Sequence, residues 1–186
     1  MTTNLNQLNK KDIQNFFEII NKQYDINLNI ERKNISTLKF SKQFIKDNTL
    51  LNYKYFSIFS NNKDKYYVTN KEVENIDLRR LNLVNVGLYI GEMMKNYFRP
   101  SIEFAQIIAP YVNKNIIELN KKEAIDFLNG FDIFKEDFNG KIEEQNFIII
   151  IYENDVLGIA RKNEDRLLNF LSKGRRLQTS DVPDLE

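Results

Sequence analysis

Phe147-Ile148-Ile149-Ile150-Ile151-Tyr152-Glu153-Asn154-Asp155-Val156-Leu157-Gly158-Ile159-Ala160 is the stretch that decides the fold. The run from Phe147 to Ile151 is apolar at every position and too short for a helix. Its β-branched side chains favour an extended backbone, so it predicts a strand buried on both faces. Glu153-Asn154-Asp155 supplies a turn, and Val156 to Ala160 returns as the partner strand of a hairpin.

Working back from this hairpin, Ile116 to Leu119 predicts a short strand. Asn120-Lys121-Lys122-Glu123 follows, in which Asn accepts from the backbone three residues on while Glu reaches back, a capping box. Ala124, Ile125, Phe127 and Leu128 carry that helix forward, and Gly130 suits the left-handed position that ends it. Further upstream, Ser101 after Pro100 predicts a helix start, and Ala109-Pro110 its stop. The domain boundary is placed here, giving an N-terminal α+β domain over 1–110 and a second domain over 111–186. No low-complexity linker separates them, so the two halves are expected to pack together.

In the first half, Asp12 is read as the N-cap of a helix whose face is Ile13, Phe16, Phe17 and Ile20. Residues 21–29 alternate polar and apolar, and a second amphipathic stretch surrounds Phe40, Phe44 and Ile45. Tyr53 to Phe59 and Tyr66 to Thr69 predict a hairpin across the polar segment 60–65. Arg80 to Ile90 is β-like and is expected to end at Gly91.

At 186 residues the chain accommodates one ordinary domain or two small ones. Apolar residues make up 42% of it, enough for a core, yet no apolar stretch approaches the roughly 20 residues that cross a bilayer. The N-terminus lacks the basic start and apolar centre of a secretion signal. The expectation is a soluble, cytoplasmic protein. Cys, His and Trp are absent, which removes disulfides, thiol nucleophiles, thiolate metal sites and the commonest general base near neutral pH. No catalytic residue, cofactor or metal is therefore expected.

Net charge is only +1, but it is unevenly spread. Arg79, Arg80, Lys95 and Arg99 form one basic segment, and Arg161, Lys162, Arg166, Lys173, Arg175 and Arg176 another, flanking an acidic stretch that includes Glu143, Glu144, Glu153 and Asp155. Local concentrations of Lys and Arg are what the phosphate backbone of nucleic acid requires, because releasing condensed counterions supplies most sequence-independent affinity. The same alternation also occurs on ordinary solvated surfaces. Tyr53, Tyr55, Tyr66 and Tyr67 could stack on bases, although tyrosines on hairpins more often pack.

The order of elements from Asn115-Ile116-Ile117-Glu118-Leu119 through the 121–128 helix, Gly130, the 147–152 strand, Asn154-Asp155-Val156-Leu157-Gly158-Ile159-Ala160 and Lys173-Gly174-Arg175-Arg176 resembles a PUA domain. Val86 to Glu92 and Phe98 to Pro110 extend the likeness to the region before that domain in Sun-type RNA cytosine methyltransferases, in stand-alone archaeal relatives, and in Nip-family ribosome-biogenesis proteins. Ala160 stands where the family commonly has a second glycine, and Asp184-Leu185-Glu186 where it has an aromatic residue. The resemblance implies an α+β fold in which an N-terminal α/β domain precedes a C-terminal PUA-like β-barrel. It also implies an RNA surface at Lys121, Lys122, Gly130, Phe131, Lys173, Gly174, Arg175 and Arg176, with Arg99 and Lys95 as outlying contacts. Glycine lets a phosphate or ribose approach the backbone, and Arg offers a planar donor fork. Sun-type enzymes use a cysteine nucleophile and a glycine-rich cofactor loop, and this chain has neither. The expected role is a non-catalytic partner of structured ribosomal or transfer RNA, in rRNA processing, tRNA modification or ribosome biogenesis. The alternative is a protein-interaction adaptor in a ribosome-assembly particle.

Overall fold

A computed structural model of the protein describes residues 5–26, 56–78, 81, 83, 85–95, 97–134, 142, 147–163 and 165–177. The first half holds β1 (Leu5–Gln7), α1 (Lys10–Tyr24), β2 (Phe56–Asn61), β3 (Lys65–Asn70), β4 (Leu88–Met93), β5 (Phe98–Pro100) and α2 (Ile102–Ile108). Its strands form an antiparallel sheet in the order β1-β2-β3-β4-β5. The second half holds β6 (Ile116–Glu118), α3 (Lys121–Leu128), β7 (Ile133–Phe134), β8 (Phe147–Tyr152), β9 (Asp155–Asn163) and β10 (Arg166–Asn169). These strands curl as a half-barrel in the order β6-β8-β9-β10-β7, with β6 parallel to β8 and the other pairs antiparallel. The fold is α+β. Among the described residues, no helix is long and apolar enough to cross a membrane.

Helix α1 starts earlier and ends later than its sequence indicates. The Asn9 side chain, not Asp12, is its N-cap, accepting from the amides of Lys11 and Asp12. Asp12 instead sits in the first turn, where its charge favours the positive end of the helix dipole. Residues 21–24, read as part of an alternating stretch, continue the helix because Phe16, Ile20 and Tyr24 lie on one buried stripe. Phe16 stacks on Tyr66 at 5.0 Å and meets Phe98 edge-on at 5.1 Å, and Phe98 in turn meets Phe104 of α2. Residues 27–29, the stretch around Phe40, Phe44 and Ile45, and Tyr53 and Tyr55 lie outside the described residues.

The predicted hairpin is β2 and β3. The next strand is displaced from its expected place: β4 begins at Leu88 and runs through Gly91 instead of ending there, with a register shift opposite Tyr66 and Tyr67. Hydrophobicity upstream of Leu88 serves a different purpose, since Val86 packs with Phe59 and Tyr67 on the outer face of the sheet. Ser101 caps α2 as expected, accepting from the Phe104 amide while donating to the Tyr89 carbonyl.

Two hydrogen-bond sets gather at the last turn of α1, the first within the first half and the second joining it to the other half. The carboxamide of buried Gln23 accepts from the Phe98 amide at 2.8 Å and donates to the Phe98 carbonyl at 2.9 Å, so it pairs with the free edge of β5 as a neighbouring strand would. The C-terminal carbonyls of α1, which have no partner within the helix, are taken up by the segment leading into β6. Asn113 and Lys114 amides donate to Tyr24, and the Asn115 carboxamide donates to Gln23. Tyr24 then donates its hydroxyl to the Phe147 carbonyl of β8 at 3.1 Å. Complete burial pushes its phenol far above the ordinary range, opposed only partly by Gln23, so it acts as a neutral donor.

Strand β8 is buried on both faces, each facing a different core. Phe147 and Ile149 point to the core shared with α1, α2 and the first sheet, while Ile148 and Ile150 point to a core with Phe127 of α3, Leu167 and Leu171. The turn after it places Glu153 and Asn154 at φ 48° and 74°, as a two-residue type I′ hairpin needs. Gly158 is dictated by packing: a Cβ there would lie 2.9 Å from the Phe127 ring. Ala160, in the place of the family's second glycine, is fully buried in the same core.

Replacing Gln23 by Leu leaves the Phe98 amide and carbonyl buried and unpaired. We expect a loss of about 2–4 kcal/mol, read as a lower denaturation midpoint at unchanged m-value. Gly158→Ala should cost about 1–3 kcal/mol by crowding Phe127, and a Phe127→Leu background should recover part of that loss in a double-mutant cycle.

Candidate nucleic-acid interface

The capping box at the start of α3 is complete. Asn120 accepts from the Glu123 amide at 3.0 Å, and Glu123 accepts from the Asn120 amide at 2.9 Å. This fixes the first turn with Lys121 and Lys122 exposed on it. At the other end, Gly130 has φ 92°, its amide donates to Phe127, and the Phe131 amide donates to Asp126. That pattern is a Schellman motif. The residue after the glycine in this motif often packs back on the helix, but Phe131 is left 62% exposed.

The Lys173–Arg175 3-10 turn and its flanks fold back onto this bend. A Cβ on Gly130 would lie 2.5 Å from Arg176 Nε, so the guanidinium side chain is laid directly across the glycine. Arg176 is held there by donating its Nε hydrogen to the Leu171 carbonyl, and the Leu177 amide donates to the Leu128 carbonyl. Lys173 and Gly174 are exposed beside it, with open space around the Gly174 Cα. Arg175 reaches the other way and pairs with Glu103 of α2. Burial alone would raise the Glu103 carboxyl, but hydrogen bonds from its own backbone amide and from Arg175 hold it below the usual carboxylate range.

The remaining sequence candidates are dispersed. Arg99 pairs with Glu92, its register neighbour across β4 and β5, at 2.7 Å. Lys95 is exposed in the turn joining those strands. Two residues on, Tyr97 lies under the guanidinium of Arg161, centroid distance 5.7 Å. Of the tyrosines, Tyr66 packs on Phe16 and Tyr67 on Tyr89. Arg79, Arg80, Glu143 and Glu144 lie outside the described residues.

One positioning residue went unnoticed in the sequence. The Asn169 carboxamide donates to the Phe127 carbonyl at 2.7 Å and the Phe131 carbonyl at 3.0 Å, while its oxygen accepts from the Leu171 amide. Its own amide donates to Asp132. Asn169 therefore ties the glycine bend to the end of β10. Its signal was present as the lone polar residue in Leu167-Leu168-Asn169-Phe170-Leu171.

Comparison with known proteins bears on this region. Residues 114–177 match the family model of the methyltransferase RsmF PUA domain. A ribosomal RNA small subunit methyltransferase F from Shewanella woodyi is 32% identical over 94 residues, covering 50% of this chain and 19% of that protein. The chain thus spans about a fifth of that relative's length. The matched stretch runs from just before β6 to just past the Lys173–Arg175 turn, so it is this half of the chain that is similar to the RsmF PUA domain.

Proposed function

We propose that the protein binds structured RNA along the edge made by α3, the Gly130 bend and residues 173–176, and that it does so without covalent chemistry. The observation that carries this reading is the seating of Arg176, from a remote part of the chain, across the Gly130 bend that ends α3. The exposed Lys121 and Lys122 turn, the glycine bend with its uncovered Phe131, and the cationic segment ending in Arg176 belong to one compact PUA domain. Phosphate contacts position RNA, and backbone exposed at a glycine lets ribose or phosphate approach closely. The relative's name points to ribosomal RNA as the first RNA to test, with transfer RNA maturation and ribosome biogenesis in the same scope. The chain has no cysteine to attack a cytosine ring.

A second reading, an adaptor that contacts a protein of a ribosome-assembly particle, draws on the ion pairs that engage Arg99 and Arg175 and on the exposed apolar side chains Ile76, Leu81 and Leu88. It predicts a partner retained in a pull-down after nuclease treatment and indifferent to Arg175→Ala/Arg176→Ala.

Binding of a structured ribosomal RNA fragment should weaken linearly as log salt rises. In Lys121→Ala/Lys122→Ala/Lys173→Ala, affinity should fall for all RNA sequences alike, and the salt slope should drop by about one per lost phosphate contact. A wild-type protein with no salt-dependent affinity for structured RNA would remove this reading. Gly130→Ala should cost about 1–3 kcal/mol, because alanine at this φ is strained and its methyl displaces Arg176. Thermal melting checks the stability, and a matching loss of RNA affinity checks the placement of Arg176.

A further inference from the structure

The half-barrel has a second face, and the first half of the chain covers only part of it. Register places Phe147 of β8 beside Arg161 of β9, and Arg161 beside Leu168 of β10. Two residues back along β10, Arg166 lies opposite Phe134 of β7. Because side chains alternate along a strand, these residues share one face, opposite the face on which α3 packs. At the covered end Arg161 lies over Tyr97, and Phe147 meets Tyr97 at 5.9 Å and Phe170 edge-on at 5.3 Å. At the other end the Arg166 guanidinium sits 6.0 Å from the Phe134 ring centroid and 3.7 Å from Asp132. Phe134 is 66% exposed and Phe170 41%, with half-buried Leu168 on the strand between them.

Large rings left in water beside guanidinium groups gain little as packing, but they offer π-faces next to positive charge. An apolar peptide laid here would bring no anion to Arg161 and would leave Arg166 with Asp132 alone. Unpaired RNA alternates flat bases with phosphates and satisfies both demands. From Arg166 to Phe170 the strand advances roughly 13 Å, enough for about two or three bases, the number taken by the aromatic residues of four-stranded RNA-binding sheets. We propose that Phe134 and Phe170, with Arg161 and Arg166, form a stacking surface for a short unpaired RNA segment. This rests on the reading that RNA is the ligand, and adds a second contact to it. Two residues separate the Gly130 bend from the start of β7, so the stacking surface begins close in the chain to the α3 edge.

Two probes separate the two readings: a blunt-ended RNA hairpin, and an unpaired RNA of about eight nucleotides carrying 2-aminopurine, whose fluorescence is quenched when it stacks on a ring. The wild-type protein should bind the unpaired RNA with quenching. Phe134→Ala/Phe170→Ala should weaken that binding by roughly tenfold or more, and hairpin affinity should stay within about twofold because the sites are independent. Phe134→Tyr/Phe170→Tyr keeps the rings and should restore both quenching and affinity, which separates stacking from a folding defect. Absent binding, binding without quenching, unchanged affinity in the alanine pair, or failure of the tyrosine pair to restore it would each overturn the stacking surface. Failure of the wild-type protein to bind the hairpin would instead remove the α3-edge reading, whatever the unpaired RNA does.

Discussion

The last turn of α1 holds the two halves in one structure. A helix ends with carbonyls that have no partner within it, and a sheet edge presents an amide and a carbonyl in the same condition. Here both needs are met at the last turn of α1, through separate partners. The Gln23 carboxamide closes the edge of the first sheet at Phe98, and the Gln23 and Tyr24 carbonyls receive donors from the chain as it enters β6. Because these groups are buried, leaving any of them unpaired costs far more than a surface contact would. The Tyr24 hydroxyl extends the same junction to β8, so the orientation of the half-barrel is set by directional bonds as well as by apolar packing.

Strand β8 converts that junction into a functional layout. It is the wall between two cores, and its alternation gives the two sides of the half-barrel different neighbours. One side receives α3, whose capped ends display Lys121 and Lys122 at the start and the Gly130 bend at the finish. The other side is filled at one end by α1, α2 and Tyr97 and is left open near β7 and β10. Among the described residues, the first half therefore sets which part of the half-barrel's sheet is covered, and it also supplies Glu103, the partner of Arg175.

The cations named from sequence fall into two groups once their partners are known. Arg99 and Arg175 are engaged by Glu92 and Glu103, and exposed pairs of this kind add little stability while lowering the charge available to an anion. Arg176 is different. It is packed against a glycine and bonded to a backbone carbonyl, so its position is fixed by the fold, and Asn169 fixes the bend beneath it. An ordered guanidinium loses less freedom on binding than a free one, which is the advantage of building a contact on rigid elements.

Local rules determined much of this protein directly from its sequence. The isoleucine run of β8, the type I′ turn at Glu153-Asn154, the capping box at Asn120 and the glycine after α3 each depend on residues adjacent in the chain, and each stands where its chemistry placed it. The resemblance carried by Gly158 and Ala160 has the same origin, because a fixed short spacing sets what the Phe127 ring can tolerate. Errors arose where two local choices were nearly equal: Asn9 and Asp12 can both cap α1, and Gly91 can end a strand or bend through one. Which carboxylate neutralises Arg175, where Arg176 comes to rest, and which side of the half-barrel remains open were decided by tertiary structure alone. Those outcomes depend on groups far apart in the chain, and no spacing along the sequence encodes the distance between them in space.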